Sequence, residues 1–338
     1  NMTGNIINNG KLAFSNGTGI KSESIINNGL LKITNGSYNI DTIINGENAT
    51  IVISGGTFNK KPNDLWIAFG YIARENAEES NYKIDKMTDA EAIANGAVCR
   101  SSSSGDNSFR IYYKTLQAGF MEKSSLYLLD NVNENVTRNG AIYLYCDNHT
   151  FTGSLECSDS PLGIYNGTAI LNDIECKSLR CGNGLDSVNI TVKNGTVTDI
   201  IVAKNANVTI EGGTYTGDIT MTDEENDSLI IKGGTFSTSP KAYVASGNKV
   251  YKFSDTEYKV SAESAQPSAP AGYRWKDATG EDLNVCDYIT EVIPYTPSTP
   301  ATPTDNVTNN TTDKNTTADL APAVKDNKAE TTVDAKTA

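Results

Sequence analysis

The chain has 338 residues, room for one large or two to three ordinary domains, with 28 Gly, 1 His, 8% aromatic residues and a net charge of −13 from 28 Lys+Arg against 41 Asp+Glu. That charge excludes nucleic acid and anionic membrane surfaces as partners, because phosphate binding needs a basic patch, and a single histidine excludes His-based metal centres. No run of about 18 apolar residues occurs, so direct membrane insertion is not expected.

The chain opens inside a repeat, Asn1-Met2-Thr3-Gly4-Asn5, which predicts a mature product or a fragment whose targeting signal lies elsewhere. Three copies of one template follow: Leu12-x-Phe14-x-Asn16-Gly17-Thr18, Leu31-x-Ile33-x-Asn35-Gly36-Ser37-Tyr38 and Ile51-x-Ile53-x-Gly55-Gly56-Thr57-Phe58, with their second glycines 19 and 20 residues apart. A second strand precedes each copy, at Ile6-Ile7-Asn8-Asn9-Gly10, Ile25-Ile26-Asn27-Asn28-Gly29 and Ile43-Ile44-Asn45-Gly46. Alternating β-branched residues predict strands, and Asn-Gly or Gly-Gly supplies the positive φ of a sharp corner. Hairpins would not explain a unit that keeps the same corner chemistry at each recurrence. A coil of a parallel β-solenoid does.

Residues 60 to 125 break the period. Gly-Gly-Thr-Phe is followed by Pro62, Leu65, Gly70 and Tyr82-Lys83-Ile84, and the second Gly-Gly-Thr-Phe, at 233–236, by Pro240, Tyr243, Gly247 and Tyr258-Lys259-Val260. The proline stands six residues after the second glycine both times, so each solenoid is predicted to close with one terminal unit, a short helix and a hairpin. Leu116 and Phe120, at i,i+4 spacing, predict a helix that starts a second module, before a strand at Leu126-Tyr127-Leu128-Leu129. The template then returns as Ile164-x-Asn166-Gly167-Thr168, Ile190-x-Val192-x-Asn194-Gly195-Thr196, Val208-x-Ile210-x-Gly212-Gly213-Thr214-Tyr215 and Leu229-x-Ile231-x-Gly233-Gly234-Thr235-Phe236; the last three are spaced by 18 and 21. Residues 151–157, 170–176, 197–203 and 215–221 align without gaps. That alignment predicts two inward columns, Leu155, Ile174, Ile201, Ile219 and Cys157, Cys176, Ala203, Met221.

The expected fold is therefore all-β, a parallel β-helix (β-solenoid) with about 18–21 residues per coil, small α/β cap units and a disordered C-terminal tail. Its order is the end of a first β-solenoid with cap (1–86), a link (87–108), a second β-solenoid with cap (109–263), a small segment (264–293) holding Trp275 and Cys286, and a Thr/Pro/Asn-rich stalk (294–338). The stalk, with Pro297, Pro300 and Pro303 every third residue and no aromatics after Tyr295, cannot bury enough apolar area to offset its ordering entropy.

The Gly-Gly-Thr-Phe turn, the Pro and Tyr after it, the Tyr-x-Val ending and Tyr113-x-Thr115-Leu116-Gln117 resemble the repeat proteins of bacterial, chiefly Firmicute, cell surfaces. The resemblance covers roughly residues 1 to 263. It implies an adhesin-like, right-handed parallel β-helix of the pectate-lyase-like type, extracellular, secreted or on the cell surface, with a tail similar to wall-spanning stalks.

Candidate sites are few. Glu156, Asp173 and Glu175 are predicted to cluster outward within one or two coil spacings, where acids either bind Ca²⁺ or raise one another's pKa, and a solvated acidic face is the plainer reading. Cys157 and Cys176 stand 19 residues apart, one coil, which leaves open a disulfide or a buried stack of reduced thiols. His149 is read as a surface loop residue, residues 223–227 as a charged turn, and Tyr38, Phe58, Tyr215 and Phe236 as core aromatics rather than an exposed sugar platform. The Asn-Gly-Thr/Ser sequons at Asn16, Asn35, Asn166 and Asn194 follow from corner chemistry and so do not show a eukaryotic secretory origin.

The leading expectation is a non-enzymatic surface protein without a cofactor, whose solenoid binds glycans or host or cell-surface proteins and whose tail engages the cell wall. The alternatives are a carbohydrate-active enzyme, a polysaccharide lyase or glycoside hydrolase using Glu156, Asp173 and Glu175, and a phage or appendage fibre.

Overall fold

The structure, a computed structural model, describes residues 4–15, 17–101, 110–223, 228–271, 273–275 and 289–294. The expected stalk beyond residue 294, Asn16, Cys286 and residues 224–227 of the charged turn lie outside them. The architecture is all-β: parallel strands stack coil upon coil, with three strand faces per turn.

In the first solenoid, Lys11–Phe14, Leu30–Ile33 and Thr50–Ile53 stack in register as face A, with Leu12, Leu31 and Ile51 in one row and Phe14, Ile33 and Ile53 in another. The longer strands Gly17–Asn27 and Gly36–Asn45 bend from face B to face C. Alternation sends every second residue inward, so Leu31, Ile33, Ile53 and Ile25 are wholly buried while Lys21, Glu23 and Lys32 are exposed. The Gly-Gly corner has a steric cause. Gly56 has φ 102°, and a Cβ on Gly55 would collide with the carbonyl oxygen of Thr34 one coil below.

A second device is a ladder of asparagines where face C turns into face A. Asn8 Nδ2 donates to Asn27 Oδ1 at 2.7 Å, and Asn27 Nδ2 donates to Asn45 Oδ1 at 2.7 Å and to the Thr50 carbonyl at 3.1 Å. Asn27 is fully buried. Its amide satisfies the Gly29 and Thr50 carbonyls and so ties the corner of its own coil to the next.

Each solenoid ends as the motif predicts, with one refinement: the short helix is a 3-10 turn, at Asp64–Trp66 and at Lys241–Tyr243. The hairpins Tyr71–Asn76/Asn81–Lys86 and Asn248–Ser254/Glu257–Ala262 then lay an antiparallel strand on the last coil, pairing Phe58 with Tyr82 and Phe236 with Tyr258. The equivalence extends to isolated bridges Ile53–Ile67 and Ile231–Val244.

The second solenoid starts under the helix Leu116–Glu122, whose Leu116 and Phe120 are wholly buried. Thr115 caps it, and the Glu134 carboxylate accepts the Leu116 and Gln117 N–H groups at 2.8 and 3.0 Å. Residues 87–108, expected as a link, contribute the helix Asp89–Ala94 and the strand Cys99–Arg100, which pairs with both Tyr112–Tyr113 and Ser125–Leu128. Met87, Ala92, Ala97, Tyr112 and Leu129 form a small core there, with Phe69 and Ile72 of the first cap packed against it.

The predicted inward columns need correction. Leu155–Ile174 and Cys157–Cys176 are register partners as expected, but Cys176 is followed by Val197, and Ile201 pairs with Arg180 and Thr220. Ile200 is the buried residue of that pair of neighbours. The gapless alignment failed because residues 197–202 stack on 176–181, the next face round, and Asp218 adds a residue before Ile219.

Candidate functional site

The carboxylates lie on face B of two adjacent coils, within Thr150–Tyr165 and Gly167–Cys181. Leu155 and Ile174 point inward, which turns Glu156 and Glu175 outward as register partners and sets Asp173 opposite Ser154. The three line a shallow depression of about 100 Å³. Glu156 accepts a hydrogen bond from Thr137 Oγ1 at 3.1 Å, Glu175 from Ser158 Oγ at 3.0 Å and Asp173 from Asn194 Nδ2 at 3.4 Å. Each acid is thus held by a neutral donor of its own, and no Lys or Arg lines the depression. Among the described residues no group of three acidic, His or Cys side chains is arranged to hold a metal ion. Arg180, the arginine nearest in sequence, lies on face C, one face away.

Cys157 and Cys176 are buried and form no disulfide, as is the case for Cys99, Cys146 and Cys181. The Cys176 thiol donates to Cys157, and that hydrogen bond together with burial holds the Cys176 proton on. Burial alone pushes Cys181 up to about 12, and it is the main cause for Cys99 and Cys146. These thiols serve as small core residues. His149 is half-buried in the turn between faces C and A, its backbone N–H donating to the Cys146 carbonyl.

The corner aromatics are core. Tyr38 and Phe58 stack at 5.0 Å, Tyr215 and Phe236 at 4.8 Å, and all four are buried. Burial raises the Tyr38 phenol to about 12.

A different aromatic row points outward. Leu126, Leu128, Leu144 and Ile164 fill the interior, which turns Tyr127, Tyr145 and Tyr165 to the outer side of face C, where Tyr127 and Tyr145 are half-buried and Tyr165 is buried, with 7% of its surface exposed. Their rings stack at 4.3 and 4.6 Å, with interplanar angles of 13° and 31°. The guanidinium of Arg100 lies 5.1 Å over the Tyr127 ring and is oriented by Asp89 and Asp147 at 3.4 and 3.3 Å. Tyr143, Gly163 and Arg180 form the adjacent outward row. A Cβ on Gly163 would collide with the Tyr165 phenol, so the glycine makes room for the ring to lean across the row. Burial, then the neighbouring Tyr145, raises the Tyr165 phenol, while Arg180 opposes the shift. Sequence reasoning did not single out this row. Its signal was the apolar-Tyr pair in Leu126-Tyr127, Leu144-Tyr145 and Ile164-Tyr165, spaced by 18 and 20 residues.

Stacked phenols flanked by guanidinium groups offer apolar ring area beside hydrogen-bond donors, the chemistry that holds an amphipathic ligand such as a sugar ring. Among the described residues no helix is long and apolar enough to cross a membrane. No family model, no curated protein and no solved structure matches the chain.

Proposed function

We propose that the protein is a non-enzymatic, extracellular, adhesin-like repeat protein whose β-solenoid presents a glycan-binding surface, with the C-terminal tail as its link to a cell wall. The half-exposed rings Tyr127 and Tyr145, stacked on the buried Tyr165 and with Tyr143 and Arg180 beside them, carry this reading. A run of amphipathic rings on a rigid face is what a repeating saccharide can follow, and the ends of this module are closed by the helix Leu116–Glu122 and by the hairpin strand Glu257–Ala262. Truncating a central aromatic contact costs about 1.4 kcal/mol or more, a tenfold loss. The test is a glycan array probed with the full chain, then titration of any hit against Tyr127→Ala and Tyr145→Ala. Tenfold weakening with an unchanged circular dichroism spectrum supports the reading; hits that ignore both substitutions refute it.

The alternative, a polysaccharide lyase or hydrolase, draws on the Glu156, Asp173, Glu175 depression. It requires turnover of a polysaccharide that Glu156→Gln abolishes.

A further inference from the structure

The two caps are built alike but finished differently. In the second, Asn248–Ser254 has Glu257–Ala262 on one edge and Ile289–Pro294 on the other, in parallel register with Val250 opposite Ile289, Tyr251 opposite Thr290 and Lys252 opposite Glu291. In the first cap the equivalent strand is Tyr71–Asn76, and matching the hairpin pairs equates Ala73 with Val250, Arg74 with Tyr251 and Glu75 with Lys252. Among the described residues Tyr71–Asn76 ends its sheet, with no strand on its outer edge.

We infer that this edge is a docking site for an extended polypeptide segment of a partner protein, added as a parallel strand. Three observations carry it. The edge presents the right groups: Ile84 N–H donates to Gly56 on the far side of the hairpin, so the pair Ala73–Ile84 is a non-bonded one and Ala73 and Glu75 turn their N–H and C=O outward. The space is there, as a cleft of about 560 Å³ runs beside Tyr71, Ile72 and Ala73, floored by Ile67, Phe69 and Met87 and crossed by Lys114, whose ammonium lies 4.8 Å from the Phe69 ring centroid. The occupied counterpart shows how such a strand is accepted and in which direction.

The counterpart also defines the partner's chemistry. Ile289-Thr290-Glu291-Val292-Ile293 is rich in β-branched residues, and in the backbone register its acidic residue is the partner of Lys252; the first cap has Glu75 at that position, so its partner carries Lys or Arg there. The chain's own 289–294 segment is thereby disfavoured at the first cap by like charge.

The probe is a fluorescently labelled synthetic peptide of residues 287–296 and its Glu291→Lys analogue, titrated against the full chain by anisotropy. The expected result is saturable binding with the analogue roughly threefold tighter, the size of one cross-strand charge pair, and loss of the analogue's binding in Ala73→Pro, which deletes an outward N–H without touching a hairpin bond. Glu75→Lys is the second variant, since it keeps the backbone and should reverse the order of the two peptides. Equal or absent binding of both peptides, or binding unchanged in both variants, overturns the proposal. Glycan binding at the tyrosine row is unaffected by any of these results.

Discussion

Asn27 offers the sharpest test of what holds the coils together. Its side chain accepts from Asn8 and donates to Asn45 and the Thr50 carbonyl, and it is fully buried. Asn27→Ala removes three hydrogen bonds between coils at about 1 kcal/mol net each and strands the Thr50 carbonyl, a further cost of about 1 kcal/mol, while the Asn8 amide keeps the Leu30 carbonyl, so a loss of about 3–4 kcal/mol is expected. Its neighbour Asn28, whose amide bonds Asn9 in the open, is the control and should cost below about 0.5 kcal/mol. Urea unfolding followed by Trp66 fluorescence in a Trp275→Phe background reports on the first solenoid, because Trp66 packs on that core. With a slope near 2 kcal/mol/M the midpoint should fall by roughly 1.5–2 M. A midpoint for Asn27→Ala equal to that of Asn28→Ala would refute the role given to the ladder.

Three other outcomes are expected. Glu91, hydrogen-bonded to Arg74 and then to the Thr88 N–H, is held down to about 2 from 4.5; its stabilisation is full above pH 4.5 and lost as pH falls towards 2. Because the pair is exposed, the effect should stay below about 1 kcal/mol, and Glu91→Gln should flatten that part of a stability-against-pH curve. In a Cys286→Ser background, Ellman's reagent at pH 8 should find no fast-reacting thiol in the native protein and five after denaturation; a native count above zero contradicts the buried assignment. Gly153→Ala should cost over about 3 kcal/mol by thermal melting, since its φ is 150° and a Cβ would strike the Glu134 carbonyl.

The coil template was legible because corners are chemically loud: Gly55-Gly56-Thr57-Phe58 must be small, then β-branched, then large and buried, whatever else the coil does. The caps were legible for the same reason, through Pro62, Gly70 and their counterparts Pro240 and Gly247. Face assignment was not. Ile200 and Ile201 are identical side chains, and only the register of the coil below shows which one turns inward. The outward tyrosines were hidden because a recurring aromatic reads equally well as core, and the neighbouring Leu126, Leu144 and Ile164 decide the matter only once their burial is known. The register sets Glu156, Asp173 and Glu175 on adjacent coils, but that Thr137, Ser158 and Asn194 each donate to one acid is a matter of side-chain direction that residue spacing does not carry.

The antiparallel hairpins have a consequence for length. A parallel coil templates another coil without limit, whereas an antiparallel strand reverses the polarity that a following coil would need, so growth of the stack stops wherever Gly-Gly-Thr-Phe is followed by its hairpin. The coils in between set only how far the two ends stand apart, about 4.8 Å for each one added or removed. Such a molecule can be made longer or shorter by whole coils while its terminators stay unchanged, which makes reach a property separable from whatever the ends and faces bind.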